Sequence, residues 1–387
     1  MRYPSLLLSL LASLTAGAQQ PKIVGYYPEW ANATRNYHPA DIPAAQLTHV
    51  NYAFATIDKD GRCALHDRKS ALERPYPSAP QTPGVLFQLR LLKQKNPHLR
   101  TLISIGGWTM SSGFSDAAAT ERARDLFALS CVDFVTRYGF DGVDIDWEYP
   151  GGGGKDGNKT RPQDPQNFTL MLAELRRQLD MRARIDGHPY LLTIAAPAGP
   201  WATQRFELAR IHPLVDWINL MAYDMANANS DLTAFHAPLY ASSDDPRKDA
   251  KNRSADAAVK AYVAAGVPAS KLVLGVPFYG RSWSGVPATS HGLFQKHAPK
   301  PADKTRETWT YKEVTALSGT PYFHPDAQAP WLYDDQRGTF VTFDNPRSLA
   351  AKADYILKEH LGGAMIWEIT EDDGTLLPAL SNALKPH

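Results

Sequence analysis

The stretch DGVDIDWEYP, residues 141–150, decides how the rest of the chain is interpreted, because it places acids inside an apolar segment. Read as a β-strand, it points Asp144, Asp146 and Glu148 to one face and the apolar residues between them to the other. A solvated acidic face is the alternative interpretation. The helical pattern before the stretch, the glycine at its start and the apolar opposite face favour an interior strand.

Three acids on one interior strand face cannot all be ionised at low cost. Like charges that share a low-dielectric site raise one another's pKa, so at least one acid is expected to hold a proton near neutral pH and to donate it. Acids perturbed in this way are usually found where chemistry takes place. The stretch therefore predicts an acid–base catalytic centre.

Composition bears on the class of partner. The chain has 387 residues, of which 43% are hydrophobic, and this is enough for one large core or two modest ones. It has 41 basic and 40 acidic residues, a formal net charge of +1. This balance gives no reason to expect nucleic acid or an anionic membrane as a partner. We expect a monomer that acts on a neutral substrate.

The N-terminus has the pattern of a cleavable secretory signal peptide, residues 1–18. Arg2 is followed by an apolar run at 6–14 and by the small residues Ala16 and Ala18. The run is too short for a transmembrane anchor. The sequence therefore predicts a secreted protein, periplasmic if the source is Gram-negative, that has no membrane anchor.

Only two cysteines, Cys63 and Cys131, are present, so packing and not a disulfide framework must hold the core. Cys131 shares a helical face with Phe127 and Phe134, which is typical of a buried thiol, while Cys63 follows a turn-like DKDG. The sequence leaves a bridge between the two open.

Strand-like and helical segments alternate along the chain. The helical patterns include 84–94, 116–138 with Gly139 as its C-cap, 167–179, 254–265 and 346–360. The eight strand-like segments are 22–30, 47–57, 101–108, 141–150, 190–198, 216–224, 271–283 and 362–370.

This alternation predicts an α/β fold, a parallel (β/α)₈ TIM barrel with its site at the C-terminal strand ends. A doubly wound open sheet is the competitor. Two features count against it: no Gly-rich phosphate loop follows the first strand, and aromatic residues collect at many strand ends.

Residues 284–340 interrupt the alternation, and they contain many aromatic residues but no helical repeat. We interpret them as a small α+β insertion between the seventh strand and its helix, and not as a disordered loop. The predicted domains are thus a catalytic barrel, 19–283 and 341–387, and an insertion subdomain, 284–340.

DGVDIDWEYP matches the D-x-x-D-x-D-x-E signature of family 18 glycoside hydrolases, the chitinases, and the chain resembles that family throughout its mature length. SIGGW (104–108), MAYD (221–224), GVPFYGR (275–281) and GGAMIWEI (362–369) are similar to its other motifs, in the same order. The resemblance implies a (β/α)₈ barrel, which in one subfamily carries an α+β insertion after the seventh strand.

The resemblance also implies an activity: a secreted chitinase that cleaves β-1,4 links between N-acetylglucosamine units with retention, without metal or other cofactor. The substrate's acetamide would be the nucleophile. Glu148 would protonate the leaving oxygen, Asp146 would hold the acetamido N–H, Asp144 would share a proton with Asp146, and Tyr223 would hold the acetamido carbonyl.

Ten further positions match residues that line the substrate groove in the family, with Trp367 as the floor beneath the reacting sugar. Asp141 is expected to have a structural or supporting role. The groove positions are Tyr27, Phe54, Gly107, Trp108, Tyr149, Met221, Asp224, Tyr279, Arg281 and Trp367.

Other functions compete with this one. A chitin-binding, lectin-like protein on the same barrel typically lacks the acid of the motif, whereas Glu148 is present here. An endo-β-N-acetylglucosaminidase acting on N-glycan cores shares the acidic element, but Trp367, MAYD and the insertion count against it. A hard cation such as Mg²⁺ held by the acids is a further alternative.

Overall fold

The computed structural model describes residues 20–76, 81–199, 201–299 and 306–385. The predicted signal peptide, 1–18, lies outside these ranges. Within them, no helix combines the length and the apolar character needed to cross a bilayer.

Eight parallel strands close into a barrel. The barrel strands, numbered by chain order, are β1 Lys22–Pro28, β2 His49–Ile57, β4 Arg100–Gly106, β5 Gly142–Asp146, β6 Leu191–Pro197, β7 Trp217–Met221, β8 Leu272–Pro277 and β14 Gly363–Trp367. Each strand pairs with the next one in this series, and β14 pairs back with β1. This closure confirms the predicted (β/α)₈ barrel and excludes the open sheet.

Helices cover the outside of the barrel and bury their apolar faces against the strands, and short 3₁₀ or π turns complete many of the connections. The α-helices are α1 Ala31–Arg35, α2 Val85–Lys95, α3 Phe114–Ala118, α4 Glu121–Tyr138, α5 Asp164–Asp186, α6 Ala202–Arg205, α7 Leu208–Ile211, α8 Ala255–Ala264, α9 Tyr311–Val314, α10 Pro346–Lys358 and α11 Leu376–Ala383. The short turns are Pro39–Asp41, Ala44–Gln46, Lys69–Glu73, Ser111–Gly113, Ala250–Asn252, Ala269–Lys271, Thr289–Gly292 and Ile369–Glu371.

The predicted helix at 116–138 is two helices, α3 and α4. Thr120 has an extended backbone and its side chain accepts a hydrogen bond from the Ala123 N–H, so it begins a new helix. The predicted C-cap is correct, because Gly139 has φ +75° and its N–H bonds to the carbonyl of Val135.

The predicted acidic strand is also shorter than 141–150. β5 ends at Asp146, and the Glu148 N–H donates to Ser111 Oγ (2.9 Å) instead of to a neighbouring strand. Glu148 therefore lies beyond the strand, at the mouth of the barrel.

The predicted strand 271–283 is divided at Phe278, whose N–H donates to the carbonyl of Trp367. The first part is β8 of the barrel, and the second, β9 Tyr279–Trp283, belongs to a separate antiparallel sheet of order β10-β9-β13-β12-β11. The other strands are β10 Thr308–Thr310, β11 Thr320–His324, β12 Ala329–Asp334 and β13 Thr339–Thr342; β3 Cys63–Leu65 forms a hairpin with β2.

The second sheet fits an insertion domain, and it extends beyond both predicted bounds of 284–340. Its aromatic residues form a core of their own, in which Trp331 packs edge-on against Phe235 at 5.7 Å and stacks on Tyr322 at 5.2 Å. Its strand β9 lies directly after β8 in the chain. The sheet is therefore positioned at the C-terminal end of the barrel, beside the ends of the parallel strands.

Candidate active site

A cavity of about 830 Å³ opens at the C-terminal ends of the barrel strands and extends along the second sheet. Its volume is in the range of ligand-binding sites. Predicted residues that line it are Phe54, Trp108, Asp146, Glu148, Tyr149, Met221, Tyr223, Asp224, Tyr279, Arg281 and Trp367.

Asp144 lies inside the barrel, completely buried, and does not line the cavity. Its Oδ2 accepts from the hydroxyls of Tyr26 and Ser104, both at 2.7 Å. Its Oδ1 accepts from Thr193 Oγ1 at 2.5 Å and from Asn219 Nδ2 at 3.1 Å. Burial raises the pKa of Asp144, and these four donors oppose that rise because they stabilise the carboxylate.

Asp146, two residues further along β5 on the same face, has a different environment. It is 5% exposed, and its Oδ1 has no hydrogen-bond partner among the described residues. Burial, followed by the charges of Glu148 and Asp144, raises the pKa of Asp146 well above its usual range. Since Asp144 accepts from four donors and Asp146 Oδ1 from none in the described part of the chain, the negative charge of this pair is most stable on Asp144 and the proton on Asp146.

Glu148 stands last in the row and lines the cavity. Burial raises its pKa to about 7, a hydrogen bond from Tyr149 opposes that rise, and the charge of Asp224 adds to it. A carboxyl group with this pKa is partly protonated at neutral pH and can act as a general acid. Glu148 combines that property with an accessible position in the cavity.

Tyr223 and Asp224 follow strand β7. The Tyr223 hydroxyl lies 3.8 Å from Met365 Sδ, and burial together with the charge of Asp146 raises its pKa well above its usual range, so this hydroxyl keeps its proton. Asp224 has a left-handed backbone with φ +59°, which turns it toward the second sheet.

Residues of β9 hold the Asp224 carboxylate. Arg281 donates from Nε (2.7 Å) and Nη2 (2.6 Å), and the Tyr279 hydroxyl donates at 2.6 Å. Burial would raise the pKa of Asp224, but His236, whose Nδ1 lies 3.7 Å from Asp224 Oδ1, and the charge and hydrogen bonds of Arg281 outweigh it, and its pKa lies below its usual range. Asp224 is therefore a permanent anion of the site.

Trp367 forms part of an aromatic platform. Its ring stacks on Phe54 at 5.7 Å and meets Tyr26 and Trp30 edge-on at 5.6 and 6.4 Å. The next residue, Glu368, accepts a hydrogen bond from Arg35, which ties this segment to α1, the helix that follows β1.

Two predicted groove residues, Tyr27 and Gly107, do not line the cavity, and for Tyr27 the predicted position is wrong. β1 alternates so that Tyr26 points into the barrel while Tyr27 is fully buried on the outer side, where its hydroxyl donates to the carbonyl of Tyr37 (2.9 Å). Gly107 is buried, does not line the cavity, and has φ +77°; a Cβ there would lie 2.7 Å from the Phe54 ring.

Asp141 has the supporting role predicted for it. Its Oδ2 accepts from the Thr101 N–H at 2.7 Å and pairs with Lys93 at 2.6 Å, away from the cavity.

Several residues of the candidate site were not predicted from the sequence. Tyr26, Ser104, Thr193 and Asn219, which surround Asp144, all lie within apolar strands. A polar side chain in such a strand is the signal that would have found them, because a buried polar group needs a partner. The cavity also includes Asn227, Asn229, Asn252 and Arg253, which lie in loops without a recognisable pattern.

The geometry gives no support for a cation site. In the described ranges, no group of three or more His, Cys, Asp or Glu side chains is arranged to hold a metal ion. Asp144, which has the largest number of oxygen contacts in the row, receives donors on both oxygens, and this arrangement suits a carboxylate without a metal.

Comparisons with known proteins agree on one family. A family model described as glycosyl hydrolases family 18 matches residues 22–372. "Chitinase A1" of Niallia circulans is 39% identical over 98% of this chain and 61% of the relative, so the chain spans about three fifths of that protein. "Chitinase 1" of Aphanocladium album is 36% identical over 89% of this chain and 80% of the relative. The solved structure of chitinase ChiA74 from Bacillus thuringiensis superposes with a TM-score of 0.89 at 36% identity, covering 95% of this chain and 70% of that one.

Proposed function

This chain belongs to glycosyl hydrolases family 18, and on that basis we propose that it is a chitinase, hydrolysing β-1,4 links between N-acetylglucosamine units with retention and with the substrate's acetamide as nucleophile. The observation that carries the proposal is the row Asp144, Asp146 and Glu148, which leads from the barrel interior to an aromatic-lined cavity. Curated relatives of this chain are named chitinases.

Glu148 is the general acid in this proposal. Its pKa of about 7 leaves a proton available at neutral and mildly acidic pH, and its position in the cavity lining would bring it near the glycosidic oxygen of a bound chain. After the leaving sugar has departed, the same carboxylate takes a proton from the water that opens the cyclic intermediate.

Asp146 and Tyr223 would orient the acetamide. Both line the cavity, and the Tyr223 hydroxyl keeps its proton, so it can donate to the acetamido carbonyl. Asp146 accepts from the acetamido N–H once its own proton has moved to Asp144, and the resulting carboxylate stabilises the positive charge on the ring that forms. The four donors around Asp144 would hold that carboxyl group in place through the transfer.

In this proposal the aromatic platform binds the reacting sugar. The indole of Trp367, supported by Phe54, offers a flat apolar face suited to the C–H face of a pyranose. Trp108 is 51% exposed and extends the apolar lining toward solvent. Tyr279, Arg281 and Thr308 of the second sheet also line the cavity, so this sheet, to which the predicted insertion 284–340 supplies Thr308, would bind part of a longer chain.

We further propose that the protein is exported and works as a monomer on chitin or chitooligosaccharides. The N-terminal pattern supports export, and the whole row of acids and its platform come from one chain. The lectin-like alternative lacks support, because Glu148 is present, buried and part of the cavity lining.

Hydrolysis of a defined N-acetylglucosamine hexamer, followed by proton NMR at early times, tests the function. The expected first product has the β-anomer at its new reducing end, as retention requires. The early product lengths also separate endo from exo action. An α-anomer at first would contradict the mechanism, and an intact hexamer would contradict the activity.

A further inference from the structure

The two cysteines of the chain lie on adjoining elements, far apart in sequence. Cys63 begins β3, which pairs with β2 through Ile57, and Cys131 lies on the buried face of α4. Cys63 is 9% exposed and Cys131 is not exposed at all. Both are free thiols that belong to the same hydrophobic core.

Direct contacts join the two segments. The Cys63 N–H donates to Ser130 Oγ at 2.8 Å, and the same hydroxyl donates to the carbonyl of Phe127 at 2.7 Å, which fixes β3 against α4 beside Cys131. Ser130 is the residue before Cys131, so this contact holds the backbones of the two cysteines side by side. A bridge between them therefore needs little backbone movement.

A second cavity gives Cys63 access to solvent. It has a volume of about 400 Å³ and shares no lining residue with the candidate active site. Cys63 lines it and Cys131 does not. Arg62, Arg68 and Arg137 line it together with Asp58 and Asp133, so the charged side chains of the cavity favour an anionic reagent by one positive charge.

We propose that Cys63 and Cys131 form an oxidative modification site, in which exchange with a low-molecular-weight disulfide produces a bridge that joins the β2–β3 hairpin to α4. The proposal does not depend on the chitinase activity. Cys63 and Cys131 belong to a different apolar cluster from Phe54, the residue of β2 that stacks on Trp367.

The accessible sulfur reacts first. The Cys63 thiolate attacks one sulfur of glutathione disulfide, which forms a mixed disulfide and releases one glutathione thiolate. The Cys131 thiolate then attacks Cys63 Sγ, and the second glutathione thiolate leaves. The two cysteines lose two electrons and two protons, the electrons reduce glutathione disulfide, and the protons end on the two glutathione thiols.

Burial makes the second step the slower one, since it raises the pKa of the Cys131 thiol well above its usual range and thiolate is scarce. The closed bridge limits the unfolded chain over the whole segment between the two residues. A gain in melting temperature of roughly 5 °C is expected. Turnover should stay within about twofold, because neither cysteine lies in the catalytic cavity.

The test uses the full chain, reduced and then incubated with glutathione disulfide. Thiols are counted after denaturation, peptides are mapped by mass spectrometry without reduction, and the melting temperature is measured before and after treatment. Cys131→Ser and Cys63→Ser serve as matched variants, with the alanine forms as replacements where serine lowers the yield. Mapping of the parent protein does not depend on whether any variant folds.

The expected result is loss of both thiols, a Cys63–Cys131 peptide, and the rise in melting temperature. Cys131→Ser should stop at a mixed disulfide with glutathione, and Cys63→Ser should react far more slowly. Retention of both thiols, or a parent protein that accumulates the mixed disulfide on Cys63 without closing the bridge, would overturn the proposal.

Discussion

Glu148 at the end of β5 and Asp224 beside β9 line the same cavity, yet their environments move their pKa values in opposite directions. The pKa of Glu148 rises to about 7 because burial dominates, and among the described residues its side-chain partner is the uncharged Tyr149. Burial acts to raise the pKa of Asp224 as well, but the nearby His236 and the charge and two hydrogen bonds of Arg281 outweigh it, so this pKa falls. The charged partners of an acid can therefore outweigh burial in deciding whether the acid keeps its proton.

The two acids are also linked. The negative charge of Asp224 is one cause of the raised pKa of Glu148. The second sheet, which supplies Arg281 and Tyr279, keeps Asp224 charged, so it contributes to keeping Glu148 protonated. The second sheet, outside the barrel, thus helps to raise the pKa of Glu148, the proton donor at the mouth of the barrel.

Removal of the proton donor should have the largest effect. Glu148→Gln keeps the shape of the side chain but cannot protonate the leaving oxygen, so turnover should fall by at least about a thousandfold while oligosaccharide binding persists. Steady-state kinetics and calorimetric titration with N-acetylglucosamine oligomers measure the two. Glu121→Gln, an exposed position at the start of α4, is the control. Turnover close to that of the parent would refute the role of Glu148.

The second-largest effect is expected at Asp146, and it tests whether Asp146 stabilises the cyclic intermediate or acts as a conventional nucleophile. Asp146→Asn should lose roughly a hundredfold or more in turnover and should bind a cyclic thiazoline analogue much more weakly, because an amide cannot stabilise the charged ring. Inhibition constants of the parent and the variant provide the measurement. Substrates with hydroxyl in place of the 2-acetamido group should not react with the parent, and a covalent sugar adduct on Asp146, detected by mass spectrometry, would overturn the mechanism.

Replacement of 284–340 by a short linker should remove Thr308 from the cavity lining, and with it β10, which pairs with the strand β9 that carries Tyr279 and Arg281. We expect roughly a tenfold loss in kcat/KM on long oligomers and a smaller loss on dimers or trimers, since remote binding contributes more to the longer chains. A series of chain lengths measures the difference. Equal losses at every length would indicate misfolding and not a lost groove wall, and circular dichroism of the variant checks the barrel.

The link between the two acids predicts a shift in pH profile. In the parent, kcat should decline as pH rises through about 7, because Glu148 then loses its proton. Asp224→Asn removes a negative charge and leaves Arg281, so the pKa of Glu148 should fall and this limb should move about one pH unit lower. Tyr279→Phe, which keeps Asp224 charged, is the control. An unmoved limb in Asp224→Asn would show that the two acids are not coupled.

The smallest effects are expected for Tyr26 and Tyr27, adjacent residues of β1 whose phenylalanine variants form a matched pair. Tyr26→Phe removes a donor from Asp144 and should lower kcat severalfold. Tyr27→Phe removes a hydrogen bond to a carbonyl outside the barrel and should cost about 1 kcal/mol of stability with kcat and KM unchanged. Kinetics and thermal denaturation measured on both variants distinguish the two faces. A raised KM for Tyr27→Phe alone would restore its predicted contact with substrate.

Features that arise from local pattern were predictable from the sequence. Continuous apolar segments between helical patterns specify a barrel, because parallel strands covered by helices are buried on both faces. The acids of 141–150 stand out for the same reason, since an interior strand rarely includes charge. The raised pKa values of Asp144, Asp146 and Glu148 agree in direction with that expectation.

Features that depend on the meeting of distant segments were decided only by the tertiary structure. Alternation shows that Tyr26 and Tyr27 point to opposite faces, but only the closed barrel shows which face is the inside. The division of 271–283 at Phe278 depends on pairing with Trp367 and with strands that come later in the chain. The charge of Asp224 likewise depends on Arg281, far along the chain, because electrostatic partners follow distance in space and not separation in sequence.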